Sequence, residues 1–406
     1  MPNTFLQKRI KTKDNKLILA IYVISVSYIV FTPFVKSFSY VDELSTLFLG
    51  GYILFTIPIL RKKEFLLVLG ILFFYLIYSF YLHINKYQAI ILDLLLFLKP
   101  FICFYSMYYL HVSWTNKFKR ILKRIFLFLG IYCWCILPFI ENIYSNTAAF
   151  YPACILSSIS YLYFSPQKKK NWYVALFLLL PGLFTFRSKF NTELICFIYL
   201  GFFLKGKFTL SIKYIIAILI LIIFSIYINW TKFSLYFFAG EEDGIARTTF
   251  YYTAVKILAD YFPLGSGFGS FGSEAAARYY SPLYYKYGVD SVYGMSPLDY
   301  GESSNFLVDT FYPILAEFGV IGIILYIIFW MKRWNAANIL FNHNYRIFLF
   351  LFFFMVIENI ANSAFISPIS VSVMMLLGLT FSDSNNIKIN QSYSITTIPL
   401  KMGIGL

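Results

Sequence analysis

Charge is scarce in this chain. Charged side chains make up only 13% of its 406 residues, about half the roughly 25% of an ordinary globular domain. Acids are the scarcer sign, with 19 Asp+Glu against 34 Lys+Arg, while hydrophobic residues reach 59% and aromatics 22%. At a mean hydropathy of +0.69, such a chain cannot clothe a water-facing surface, which excludes a soluble globular protein and leaves an all-α polytopic membrane protein. Histidine is nearly missing as well: His83, His111 and His343 form no cluster, and no metal-ligand spacing occurs, so no metal and no cofactor is expected. The five cysteines, Cys103, Cys133, Cys135, Cys154 and Cys196, all lie in apolar runs. None falls in a segment that would meet an oxidising compartment, so no disulfide framework is expected, and Cys133 and Cys135 read as packing residues.

A helix crosses about 30 Å of hydrocarbon in roughly 20 residues, with every backbone group bonded internally. Twelve such runs can be counted, at about 17–35, 44–60, 65–82, 89–111, 125–140, 148–164, 172–186, 190–204, 209–229, 306–330, 346–366 and 367–381. The basic start, residues 1–16, lacks a cleavage site after its apolar run and reads as an inner tail. Twelve spans with that tail inside require alternate connections to be basic. They are: the inner segments hold 24 cations against three acids, Asp14, Glu64 and Asp383. The net charge of +15 is therefore an orientation signal, and nucleic acid is not implied. The expected organisation is a cytoplasmic tail (1–16), nine spans (17–229), an extracytoplasmic loop (230–305), three spans (306–381) and a second cytoplasmic tail (382–406).

The 76-residue segment 230–305 is the one long connection, and it holds eleven tyrosines. A tyrosine presents an apolar face and a hydroxyl edge, which suits a sugar ring; an interfacial aromatic belt is the competing account. Tyr251, Tyr252, Tyr279 and Tyr280 are the candidates for substrate contact. Apolar residues at 250, 254, 257, 258 and 261 predict an amphipathic helix over 247–262.

Cations on the outer side carry no orientation signal and need another explanation. Arg187 and Lys189 stand in the short turn LFTFRSKFNTEL, Arg247 opens the loop helix, and Arg278 follows a glycine-rich stretch. A guanidinium fork matches phosphate oxygens, and near a low-dielectric membrane its attraction for pyrophosphate is weakly screened. The competing account is local pairing, for instance Lys189 with Glu193 one helical turn on. In PLGSGFGSFGS, Gly267, Gly269 and Gly272 have the GxGxxG spacing but no βαβ context. These glycines either bring backbone N–H groups near an anion or let the loop fold under itself. On a helix, Glu302, Asn305 and Asp309 would share one face, with Glu317 about two turns deeper. Ionisable groups at such depth are usually functional, and a carboxylate there could take a proton from a sugar hydroxyl; a structural ion pair is the alternative for Asp309 and Glu317, and a solvated acid for Glu302. Asp93 and Lys99, six residues apart, are separated by about 240° on a helix, so each needs a partner elsewhere.

The order and spacing of FRSKFNTEL, RTTFYYTAVKIL, PLGSGFGSFG and SSNFLVDTFYPILAEFGVIGIIL, within about twelve spans and one large outer loop, resemble the bacterial O-antigen polymerase and O-antigen ligase superfamily. That resemblance implies a GT-C-like architecture in the bacterial inner membrane. It further implies a metal-independent glycosyltransferase acting on undecaprenyl-pyrophosphate-linked oligosaccharides as donor and acceptor, with a chain-length regulator as a candidate partner. Arg187 and Arg247 match the arginines expected to hold pyrophosphate. Where the ligases commonly carry a His before the closing Asn, this chain has Ser304 before Asn305, which favours the polymerase reading. A ligase is the nearest alternative and a lipid-linked oligosaccharide flippase the next, although a flippase has no use for the long loop.

Overall fold

The computed structural model describes residues 2–32, 41–110, 115–140, 149–204, 206–207, the single positions 223, 227, 230 and 234, and residues 245–297, 306–308 and 310–395, with side chains from 16 to 382 within these ranges. Every described element is helical: α1 (Pro2–Phe31), α2 (Val41–Thr56), α3 (Lys63–Leu82), α4 (Tyr87–Tyr108), α5 (Asn116–Ile136), α6 (Phe150–Tyr163), α7 (Lys169–Leu179), α8 (Ser188–Ile198), α9 (Ala246–Asp260), α10 (Glu274–Arg278), α11 (Pro282–Lys286), α12 (Gly319–Ala337), α13 (Asn342–Ile360) and α14 (Pro368–Ile395). Among the described residues, five helices are long and apolar enough to cross a membrane: Lys63–Leu82, Tyr87–Tyr108, Asn116–Phe139, Tyr312–Ala337 and Asn342–Ile360. Lys16–Phe31 and Pro368–Ser382 are shorter apolar helices. Much of the expected run 209–229 lies outside the described residues.

The sixth, seventh and eighth expected runs become α-helices of 14, 11 and 11 residues, the last two continued by turns of other helical type. Local chemistry explains each. α6 is buried along its whole length, the condition of a helix that is apolar all round. Its serines satisfy themselves internally or on neighbours, as in Ser158 Oγ to the Ala175 carbonyl at 2.6 Å. α7 tightens into a 3-10 turn, Leu180–Thr185, at Pro181, which has no N–H to continue the α ladder. α8 widens into a π turn at Tyr199–Phe203.

Side-chain contacts gather the lysine- and arginine-rich ends at one end of the bundle. Arg333 meets Glu64 at 2.5 Å, His343 meets the Leu162 carbonyl at 3.0 Å, Lys123 meets Asn171 at 3.4 Å, and Arg346 donates to the Leu204 carbonyl at 2.5 Å. α4 and α14 make the most extensive helix pair of the bundle. At the opposite end, residues 246–295 build a small core of their own around Phe250, Ile257, Phe271, Leu283, Tyr284 and Met295. The amphipathic reading of 247–262 matches α9, whose buried face includes Phe250, Ala254 and Ile257.

The expected continuous helix leading into the tenth span is corrected. Residues 306–308 form a 3-10 turn, Tyr312–Phe318 forms another that starts beside Pro313, and Gly319 at φ +60 opens α12 directly after it. Glu317 sits in that turn, so it is not two turns further along a helix carrying Asp309. Glu302, Asn305 and Asp309 lie outside the described residues.

Candidate functional site

Two groups of buried carboxyls lie at the end of the bundle away from the lysine-rich one, apart from Asp42, which is buried against Lys99. The first surrounds the glycine-rich stretch. The Gly269 N–H donates to Asp93 Oδ2 at 2.8 Å and the Phe271 N–H to Glu317 Oε1 at 2.7 Å. Ser79 Oγ takes the Phe268 N–H at 2.7 Å, and the Tyr284 hydroxyl takes that of Gly272 at 3.0 Å. Asn85 returns a bond to the Gly269 carbonyl at 2.7 Å. Gly269 has φ +67, and a Cβ there would meet the Ala89 backbone at 2.8 Å, so only glycine lets the loop lie this close to α4. The amides that could have faced an external anion are thus spent on two carboxyls and two hydroxyls of the protein itself. Glu317, expected to contact substrate, is fully buried and anchors the loop.

The second place lies where α8, α9 and α13 converge. Lys189 Nζ binds Glu358 Oε2 at 3.0 Å and the Ala361 carbonyl at 3.3 Å, so the suggested local pair with Glu193 gives way to a partner 169 residues on. The Tyr151 hydroxyl donates to Glu358 Oε1, Asn362 Nδ2 donates to Oε2 at 3.3 Å, and Lys189 stands 5.9 Å from the Tyr151 ring centre. Glu193 is buried beside this group, its carboxyl facing that of Glu358, with Lys189 as the nearby cation. Arg187 is within electrostatic reach of Tyr151. From the other side, Tyr251 of α9 donates to the Ile360 carbonyl at 3.0 Å, with Arg247 one turn earlier on the same helix and within electrostatic reach of Tyr251. The last residues of α13 therefore join the Arg187 turn to the Arg247 helix.

Both arginines stand at the positive end of a helix. Arg187 is the Ncap of α8 and Arg247 the second residue of α9; neither helix has an acid in its first turn or a capping bond from its Ncap side chain. A cation at a helix N-terminus opposes the macrodipole by roughly 0.3–1 kcal/mol, and an anion bound there reverses that cost. The sequence places Arg187 at this tip because Pro181 ends α7 and Phe186 turns left-handed at φ +51. Gly182 makes room for Phe190, whose ring lies 2.3 Å from where a Cβ would be.

The remaining candidates separate by location. Tyr279 and Tyr280 line a cleft of about 350 Å³ with His83, Asn85, Lys86 and Tyr87, and Lys86 stands 6.0 Å from the Tyr279 ring centre. Tyr252 is exposed. Arg278 pairs with Glu274 at 2.7 Å on the exposed face of α10. Among the other loop tyrosines, Tyr284 belongs to the small core, and Tyr287 donates to Asp260 at 2.6 Å. Burial pushes the Tyr287 phenol up to about 12, and the Asp260 bond adds to the shift. Asp93 and Lys99 do part company, as their helical angle requires: Lys99 binds Asp42 at 2.8 Å and Glu43 at 2.5 Å on α2.

Sequence reasoning passed over Tyr151 and left Glu193 and Glu358 unranked. The signal for the two acids was an ionisable group within an apolar run; Tyr151, one of 35 tyrosines, offered none. No protein-family model, curated protein or solved structure matches this chain.

Proposed function

We propose that this chain is a surface-polysaccharide polymerase of the bacterial cytoplasmic membrane, with about twelve spans, both termini cytoplasmic and the loop 230–305 outside. It joins undecaprenyl-pyrophosphate-linked repeat units. A growing glycan on its pyrophosphate carrier is the donor, and a hydroxyl of one lipid-linked unit is the acceptor. The hydroxyl oxygen bonds to the anomeric carbon, the bond from that carbon to the diphosphate oxygen breaks, and negative charge collects on the departing undecaprenyl pyrophosphate. Arg187 and Arg247, assisted by Lys189 and two helix N-termini, stabilise that charge most where it is greatest, in the transition state. A carboxylate at Glu302 or Asp309 takes the acceptor proton, and tyrosines of the loop, Tyr279 and Tyr280 foremost, hold sugar.

One observation carries the reading: two arginines from distant parts of the chain each open a helix without a first-turn acid, and both helices border the same end of α13. This arrangement suits a dianionic diphosphate. Three glycolipid patterns in a deletion strain discriminate the readings. Lipid A core bearing a single repeat supports a polymerase. Bare core with polymer accumulating on the carrier means a ligase, and no repeat outside the membrane means a flippase; either overturns the proposal. In a purified assay, activity that persists in EDTA is expected, and loss restored by Mg²⁺ would count against an arginine-only charge stabilisation.

A further inference from the structure

The lysine-rich end of the bundle holds a slot that glycosyl transfer does not use. α3 and α12 flank it, yet each packs chiefly on another neighbour, α3 on α4 and α12 on the 3-10 turn that precedes it. The two helices are pinned at both ends: the Tyr75 hydroxyl donates to the Phe318 carbonyl at 2.7 Å, and Arg333 meets Glu64 at 2.5 Å. Between the pins lies a cleft of about 270 Å³, walled by Leu67 and Ile71 on one side and Leu325 and Ile328 on the other. Leu67 and Ile328 are exposed, so the cleft opens sideways, toward the membrane.

Its mouth is cationic. Lys63, Lys332 and Arg333 line it against the single acid Glu64, and the two lysines are exposed. Arg333 is only 3% exposed, stacks over Phe104 and Tyr108 at 5.2 and 5.3 Å, and leaves its Nε without a hydrogen-bond partner among the described residues. An excess of positive charge at the end of an apolar slot is complementary to an amphiphile with an anionic head and an aliphatic tail. From Lys63 to Tyr75 the slot rises about 18 Å along α3, close to the roughly 15 Å depth of one leaflet of a 30 Å core. That length suits a single acyl chain and is too short for a polyprenyl tail.

We propose that this slot binds an anionic glycerophospholipid, one acyl chain lodged between α3 and α12 and its phosphate held by Lys63, Lys332 and Arg333. The site stands whether or not the chain transfers sugar. The test uses the full-length protein in nanodiscs with phosphatidylglycerol that carries a photoactivatable group in one acyl chain. Crosslinks are expected on residues 67–71 and 325–328, competed by unlabelled phosphatidylglycerol and not by phosphatidylcholine. Each surface cation contributes roughly fivefold, so the double variant Lys63→Ala/Lys332→Ala should bind about twenty-fivefold more weakly. Because both side chains are exposed, this variant remains informative if Arg333→Gln fails to fold. Leu67→Trp, which fills the slot, should abolish the crosslinks while the protein still elutes as a folded species. Equal competition by phosphatidylcholine, stronger competition by undecaprenyl phosphate, unchanged binding in the double lysine variant, or crosslinks elsewhere would each overturn the proposal.

Discussion

The two buried carboxyl clusters resemble one another in burial and differ in what meets the charge. Asp93 and Glu317 face one another and are held by backbone amides of Gly269 and Phe271, with Ser273 beside them. Glu358 is held by the side chains of Lys189, Tyr151 and Asn362, with Glu193 beside it. An amide in a loop that only glycine permits cannot be traded for another partner without moving the chain, so the first cluster works as a fixed anchor between α4, the loop and the turn before α12. A lysine side chain on a flexible stem can swing. Lys189 also retains partial exposure, at 23% for its side chain, which is what the proposed exchange of a protein carboxylate for a ligand phosphate requires. Residues of the same chemical type thus differ according to whether a fixed amide or a lysine meets them.

Substitutions can break this contrast, and the largest effect is expected at the arginines. Arg187→Ala and Arg247→Ala should each lower the rate of chain extension about a hundredfold, equivalent to about 3 kcal/mol, with normal abundance; glycolipid ladders from membranes of each variant measure it. If both variants make long chains at normal levels, the second cluster is not a phosphate site. Glu317→Leu should do the reverse. It strands the Phe271 amide at a cost of about 2 kcal/mol, which a lowered melting temperature and reduced abundance would reveal, with activity per folded molecule retained. Equal activity loss without loss of stability would move Glu317 from anchor to site. Glu358→Gln removes the counter-charge of Lys189 while keeping a hydrogen-bond acceptor, and a roughly tenfold change in KM at near-normal abundance is expected, or about 1.4 kcal/mol. Arg278→Ala should be almost silent, within about 0.5 kcal/mol in stability and rate, because its exposed pair with Glu274 contributes little; a large loss there would extend the site across α10.

Much of the frame was legible because apolar runs and charge asymmetry are local quantities. The spans near 65–82, 89–111 and 346–366 correspond to α3, α4 and α13, and the 247–262 amphipathic pattern became α9. Runs of marginal length were less legible, since a hydropathy window cannot tell a helix facing lipid from one enclosed by protein, as α6 is. At the site, arginine chemistry pointed to Arg187 and Arg247, and burial separated Glu317 from them. The Lys189 partner could not be guessed, because a helix neighbour four residues away and a carboxylate on α13 compete by geometry that only packing sets.

The chain's own letters determined that it is helical, that it is too apolar for water and that its cations divide between two ends, since these follow from composition and from spacings within about twenty residues. Tertiary structure alone decided which carboxyls face amides and which face lysine, that the Arg187 turn and the Arg247 helix both border the end of α13, and that a slot opens between α3 and α12. Those depend on contacts between residues tens to hundreds of positions apart, where the free energy of burying a charge is decided by what the fold brings beside it.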